Sequence, residues 1–149
     1  MKKVLLVLLI IIIAIQFIPS QKNIAKGDSP NSITKVYDVP PDVQQILKTS
    51  CNDCHSNNTQ YPWYNRIQPV ALYLSYHVKD GKRELNFDEF AAYSPEKRLH
   101  KIEEIREVIQ KNEMPLQSYT IIHSDAILSD AQKQTLINWT NSIAPHHHK

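Results

Sequence analysis

Two thiols and an imidazole stand together at Cys51-Asn52-Asp53-Cys54-His55, and they are the residues of this chain best suited to chemistry. Thiols about one helical turn apart can add to the two vinyl groups on one edge of a haem. The histidine that follows at once then projects beneath the iron as an axial ligand. The chain holds no other cysteine, so no spare thiol competes for these partners. The spacing therefore predicts one covalently attached c-type haem, with His55 as the proximal iron ligand.

Three other chemistries use a Cys-x-x-Cys pair. A thioredoxin-like redox disulfide needs a βαβ pattern around it, and none is visible here. A structural zinc site needs a second close pair of ligands, whereas His77, His100 and His123 are scattered. A plain disulfide across so short a loop removes little chain entropy and adds little stability.

A haem iron has a second axial position. Met114 is the only methionine besides Met1, and it precedes Pro115 in a loop. Proline disfavours helix at the residue before it, which predicts an extended segment presenting the thioether inward. A core methionine filling a gap is the competing reading. His77, on the apolar side of a helix, is the alternative distal ligand; a satisfied core histidine is its bland counterpart. His100 lies in a charged helix and His123 in a polar loop, and both are less suited. An open distal position would instead suit a haem-based sensor or a peroxidase-type enzyme. Trp63, Tyr64, Arg66 and Tyr119 are candidate haem contacts, through ring packing or bonds to propionates. Ordinary core or surface packing accounts for each equally well. The second nitrogen of His55 should donate to a carbonyl, with the loop between Tyr61 and Pro69 as the expected source.

The elements that must position these groups read as helices. Asp42–Ser50 puts Val43, Ile46 and Leu47 on one face after Pro40 and Pro41. Pro69–Asp80 carries Val70, Leu74 and Val78, with Gly81 as a natural C-terminal stop. Asn86 and Glu89 suggest a capping box for a short turn through Phe90. Ser94 and Pro95 open the longest helix, striped by Leu99, Ile102, Ile105 and Ile109. Ser129 and Gln132 cap a last helix bearing Leu136, Ile137, Trp139 and Ile143, ended by Pro145. No long alternating strand pattern occurs. The fold class is all-α: a small helical domain, with an N-terminal signal or anchor helix. Long loops at about 56–68 and 112–128 are suited to wrapping a cofactor.

Lys2 and Lys3 precede an apolar run, Val4–Ile15, which reads as an export signal or a retained anchor within residues 1–20. The run is shorter than the ~20 residues of a comfortable transmembrane helix. Residues 21–38 read as a linker or loosely docked arm, 39–144 as the haem-binding domain, and 145–149, with His146, His147 and His148, as a tail. The chain has 17 basic and 15 acidic residues, and Lys2 and Lys3 account for the excess. The domain is thus near neutral, without the basic stripe of a nucleic-acid binder. The expected location is periplasmic, or membrane-anchored facing the periplasm.

The run CNDCHSN–YPWYNRIQPV, then HVKDGKRELNFDEF, then MPLQSYTIIHSDAILS and a closing NW, resembles the haem-binding domain family of exported bacterial proteins with one CxxCH motif. The likeness extends from about Val39 to Ile143. It implies a small, compact cytochrome c-like helical domain wrapped around one haem, with haem attachment at Cys51 and Cys54 and ligation at His55. Some members are joined to cytochrome c or di-haem peroxidase modules, which implies electron transfer. With no such module here, the expected redox partner is a separate protein, another cytochrome or a respiratory-chain component. An electron carrier is favoured over an enzyme, because no acid–base pair stands out. Without haem, so small a core is expected to be poorly ordered.

Overall fold

The structure, a computed structural model, describes residues 1–25 and 27–144. Among them seven α-helices and several short 3-10 turns occur and no strand, so the domain is all-α. The helices are α1 (Lys2–Ile15), α2 (Pro41–Ser50), α3 (Asn52–His55), α4 (Val70–Glu84), α5 (Pro95–Gln110), α6 (Gln117–Thr120) and α7 (Asp130–Ile143). The terminal histidines and Pro145 lie outside the described residues.

Local signals set several boundaries. The Ser94 side chain accepts from Lys97 N at the start of α5. Ser129 and Gln132 form a reciprocal capping box on α7, satisfying donors that a helix start leaves orphaned. The core is built where α2, α5 and α7 meet: Val43, Ile46, Leu47, Ile102, Ile105, Ile109, Leu136 and Trp139 are buried together. Phe87 and Phe90, from the 3-10 turn Phe87–Ala92, complete it. Leu99, expected on the α5 stripe, is exposed at the rim.

Four expectations are corrected. First, the stretch read as a linker or loosely docked arm is fastened at Asn23, Ile24 and Ile33. Ile24 pairs with Asn58 in an isolated antiparallel bridge, and Ile33 is buried in the core. Asn23 Nδ2 donates to Ser56 O and to Thr59 Oγ1, at 2.8 and 2.9 Å. Polar pairing hides this docking from any hydrophobic pattern. Second, Gly81 does not end its helix, because α4 runs on to Glu84. Third, Asn86 caps the turn through Asp88 N, but Glu89 does not return the bond. Its carboxylate instead accepts from Asn57 Nδ2 and Asn31 Nδ2, tying the turn to two loops. Fourth, Met114 stands at a bend rather than in an extended run, and its peptide to Pro115 is cis.

Arg106 is the interior residue that hydrophobic periodicity misses. It is 1 % exposed within α5. Its guanidinium donates to Thr140 O at 3.1 Å and to Ala144 O at 2.6 Å, closing the last turn of α7.

Candidate functional site

The Cys-x-x-Cys-His motif begins at the end of α2 and forms α3. Leu47 O accepts from Cys51 N, and Cys51 O accepts from Cys54 N and His55 N. One compact turn therefore carries both thiols and the imidazole. Asp53, between the cysteines, fastens this turn outward. Its carboxylate accepts from Gln60 N at 2.9 Å and from the Tyr119 hydroxyl at 2.8 Å, and its carbonyl accepts from Thr59 Oγ1.

Gly81 explains how α4 approaches so closely. A Cβ at this position would lie 2.8 Å from Cys54 O and 3.0 Å from Cys54 Cβ. The clash is with backbone, which cannot swing aside. The glycine is thus selected by a neighbour rather than by a helix end. Gly81→Ala is expected to destabilise the domain on balance. Overpacking costs about 1–3 kcal/mol, against about 1 kcal/mol recovered in helix propensity. Urea unfolding measures the balance; a variant more stable than the parent would show that α4 and α3 do not press together here.

The same approach fixes His55. Its Nδ1 lies 3.0 Å from both Gly81 O, in the last turn of α4, and Leu85 O, at its C-cap. The expected carbonyl source, the loop between Tyr61 and Pro69, is therefore replaced by the C-terminal end of α4, where Gly81 O also accepts from Leu85 N. Carbonyls only accept, so Nδ1 carries the proton and Nε2 keeps its lone pair. Burial pushes the His55 pKa down against the upward pull of these bonds, and Lys101 lowers it further. The ring is held neutral, in the tautomer a metal requires. Phe87 packs edge-on against it, with ring centroids 6.3 Å apart.

Cys51, Cys54 and His55 open onto one cavity of about 400 Å³, within the range of cofactor pockets. Leu47, Leu85, Phe87, Ile105 and Ile109 supply apolar walls, while Met114, His77 and Tyr119 line it from other elements. The two cysteines are not bonded to each other. Burial pushes the Cys51 thiol up to about 12, with Cys54 adding to it, and burial with Asp53 pushes Cys54 up to about 11. A redox disulfide works with a depressed thiol, the reverse of this setting. Among the described residues no three His, Cys, Asp or Glu side chains group as a metal cage, so the zinc reading lacks a ligand set.

The remaining sequence candidates separate by position. Met114 and His77 both line the cavity. His77 Nδ1 lies 3.0 Å from Tyr73 O and its ring packs on Tyr73 at 4.1 Å, which holds it against its own helix. Tyr119 also lines the cavity, and burial together with its bond to Asp53 pushes its pKa up. Trp63 and Arg66 are exposed and lie outside the lining. Tyr64 and His123, 2.7 Å apart, border a smaller cavity of about 100 Å³ behind Cys54. His100 pairs with Glu104 at 3.1 Å on the outside of α5. The cavity's own cations are Lys101 and Lys111, which sequence reasoning missed. Lys101 is 13 % exposed and bonds Glu104 at 2.6 Å; its four-residue spacing from Ile105 was the available signal.

The pocket carries donors suited to a haem: a neutral imidazole with one nitrogen committed, two unpaired thiols, apolar walls and a thioether. No curated protein and no solved structure matches the chain. The haem-binding domain family matches residues 10–142, which takes in the docked segment 21–38 as well as the helical core, and the chain belongs to that family.

Proposed function

We propose that the domain holds one haem through thioether bonds from Cys51 and Cys54, with His55 Nε2 on the iron, and that it carries electrons in the cell envelope. The observation that carries this reading is the convergence of both thiols, the oriented imidazole and Met114 on one cavity. Bound haem supplies a one-electron couple. The chain's own residues do the rest. Gly81 O and Leu85 O orient His55. Leu47, Phe87, Ile105 and Ile109 exclude water, which helps set a potential. Lys101 and Lys111 offer ammonium groups to the haem carboxylates. The electron partner is a separate redox protein, and residues 1–20 direct export to the periplasm or retain the domain at the membrane facing it.

Met114 is the proposed distal ligand. His77 is the second reading, supported by its place on the same cavity with Nδ1 committed to Tyr73 O. Acid–acetone extraction followed by a pyridine haemochrome spectrum tests the attachment. Haem that stays with the polypeptide and shows the c-type spectrum is expected; haem that extracts freely refutes the thioether bonds. Met114→Ala is then expected to abolish the low-spin spectrum and lower the potential, whereas His77→Ala leaves both in place. The reverse pattern would hand the distal position to His77.

A further inference from the structure

α1 has no buried face. Its side chains from Val4 to Ile13 each remain 50–63 % exposed. A helix apolar on all sides is at home only in an apolar surrounding. Its 14 residues rise about 21 Å, and the bonds Phe17 N to Ala14 O and Ile18 N to Ile15 O extend it by a turn. No helix among the described residues is long and apolar enough by itself to cross a membrane. A short apolar helix is accommodated by local thinning and by lysines reaching toward the headgroups, here Lys2 and Lys3.

The far end of α1 is clamped to the domain. Gln16 Nε2 donates to Gln68 O at 3.2 Å, and Gln68 N donates back to Gln16 Oε1 at 3.0 Å. Gln68 is buried, and its own Nε2 donates to Ile18 O at 2.7 Å. The chain then runs along α4 as a strap. Ser75 Oγ donates to Gln21 O, and Lys82 Nζ donates to Asn23 Oδ1 at 2.6 Å. Within α4, Ser75 and Lys82 are seven apart, close to two helical turns, so one side of the helix receives the strap. Gly81, in the same helix, and Leu85, at its C-cap, are the residues whose carbonyls orient His55.

Around the clamp, Phe17, Ile18, Trp63, Ile67 and Val70 are exposed, continuous in sequence with the residues that make it. Trp63 is 75 % exposed. An exposed tryptophan, four residues before Ile67 in the segment that leads to the clamp, suits the boundary between hydrocarbon and water. We infer that this end of the domain rests on a phospholipid bilayer: α1 is embedded, Trp63 and its neighbours lie at headgroup depth, and the Gln16–Gln68 clamp makes α1 and α4 one body. The occupant is lipid because the patch continues the surface of α1, which offers no polar atom to a protein groove. This deepens the anchored reading of residues 1–20 and rests on it. The haem cavity is then presented to its partner in one fixed attitude to the membrane.

The full chain, haem-loaded, is placed in nanodiscs of phosphatidylethanolamine and phosphatidylglycerol that include a phospholipid with a diazirine high on its acyl chain. After illumination, mass spectrometry maps the adducts. Adducts on residues 17–18 and 63–70 are expected, with those on 63–70 falling at least fivefold in Gln16→Ala while those on α1 persist. Adducts confined to α1 in the parent overturn the inference, and equal adducts on 63–70 in both chains overturn the role of the clamp. An intact mass lacking residues 1–18 refutes the anchored reading itself, and the Soret absorbance of the same sample reports haem independently.

Discussion

Cys51→Ala/Cys54→Ala is expected to release all covalent haem while leaving half of the domain folded. The sequence alone leads one to expect a poorly ordered apo chain, because a small domain built around a cofactor loses its centre with it. The packing points elsewhere. The buried cluster is formed by α2, α5, α7 and the turn Phe87–Ala92, and includes no residue of α4. The cavity lies beside that cluster and shares Leu47, Phe87, Ile105 and Ile109 as its wall. Loss of haem therefore strips contacts from α3, α4 and residues 112–123 first. Amide hydrogen exchange resolves the two halves. The amides of α5 and α7 should keep their protection, and those of α4 should exchange at least ~10-fold faster, equivalent to about 1.4 kcal/mol of local stability. Uniform loss of protection would show that the core depends on the cofactor after all.

Arg106→Ala is expected to cost about 3–5 kcal/mol, since truncation removes a large buried side chain and the partner of buried carbonyls. Thr140 O keeps a bond from Ala144 N, but Ala144 O loses the 2.6 Å donor that the guanidinium provides. An unsatisfied buried acceptor alone costs about 1–3 kcal/mol. Against a total stability of about 5–15 kcal/mol, such a loss threatens folding at growth temperature. Urea unfolding of the haem-loaded protein measures it. A loss below about 1 kcal/mol would mean that water replaces the arginine at the end of α7. Arg106→Met keeps most of the volume and should fall between the two, separating packing from hydrogen bonding.

What the sequence reveals and what it hides divide by range. Ser94 before Pro95, and Ser129 with Gln132, announce helix starts because a cap is satisfied within three residues. That Cys51, Cys54 and His55 share one turn is equally plain, since their spacing is local. Gly81 misleads because a glycine late in a helix usually marks its end, whereas here it makes room for Cys54. Asp53 looks like spacer between two cysteines, yet it bonds Tyr119, 66 residues away. The docked segment 21–38 is held largely by asparagine side chains and backbone pairing, to which hydrophobic periodicity is blind. Arg106 sits among the charges of α5, and only the third dimension shows that it turns inward, whereas Lys101 shares the face of Ile105 four residues on.

Two parts of the cavity lining differ in build. His55 is seated on two carbonyls at the end of a long helix, with Phe87 against its ring. Met114 stands in residues 111–118, none of which is buried. A segment with few buried contacts opens at the lowest free energy. On warming, the methionine side is expected to come away while the histidine side is still in place, as a door opens against a fixed jamb.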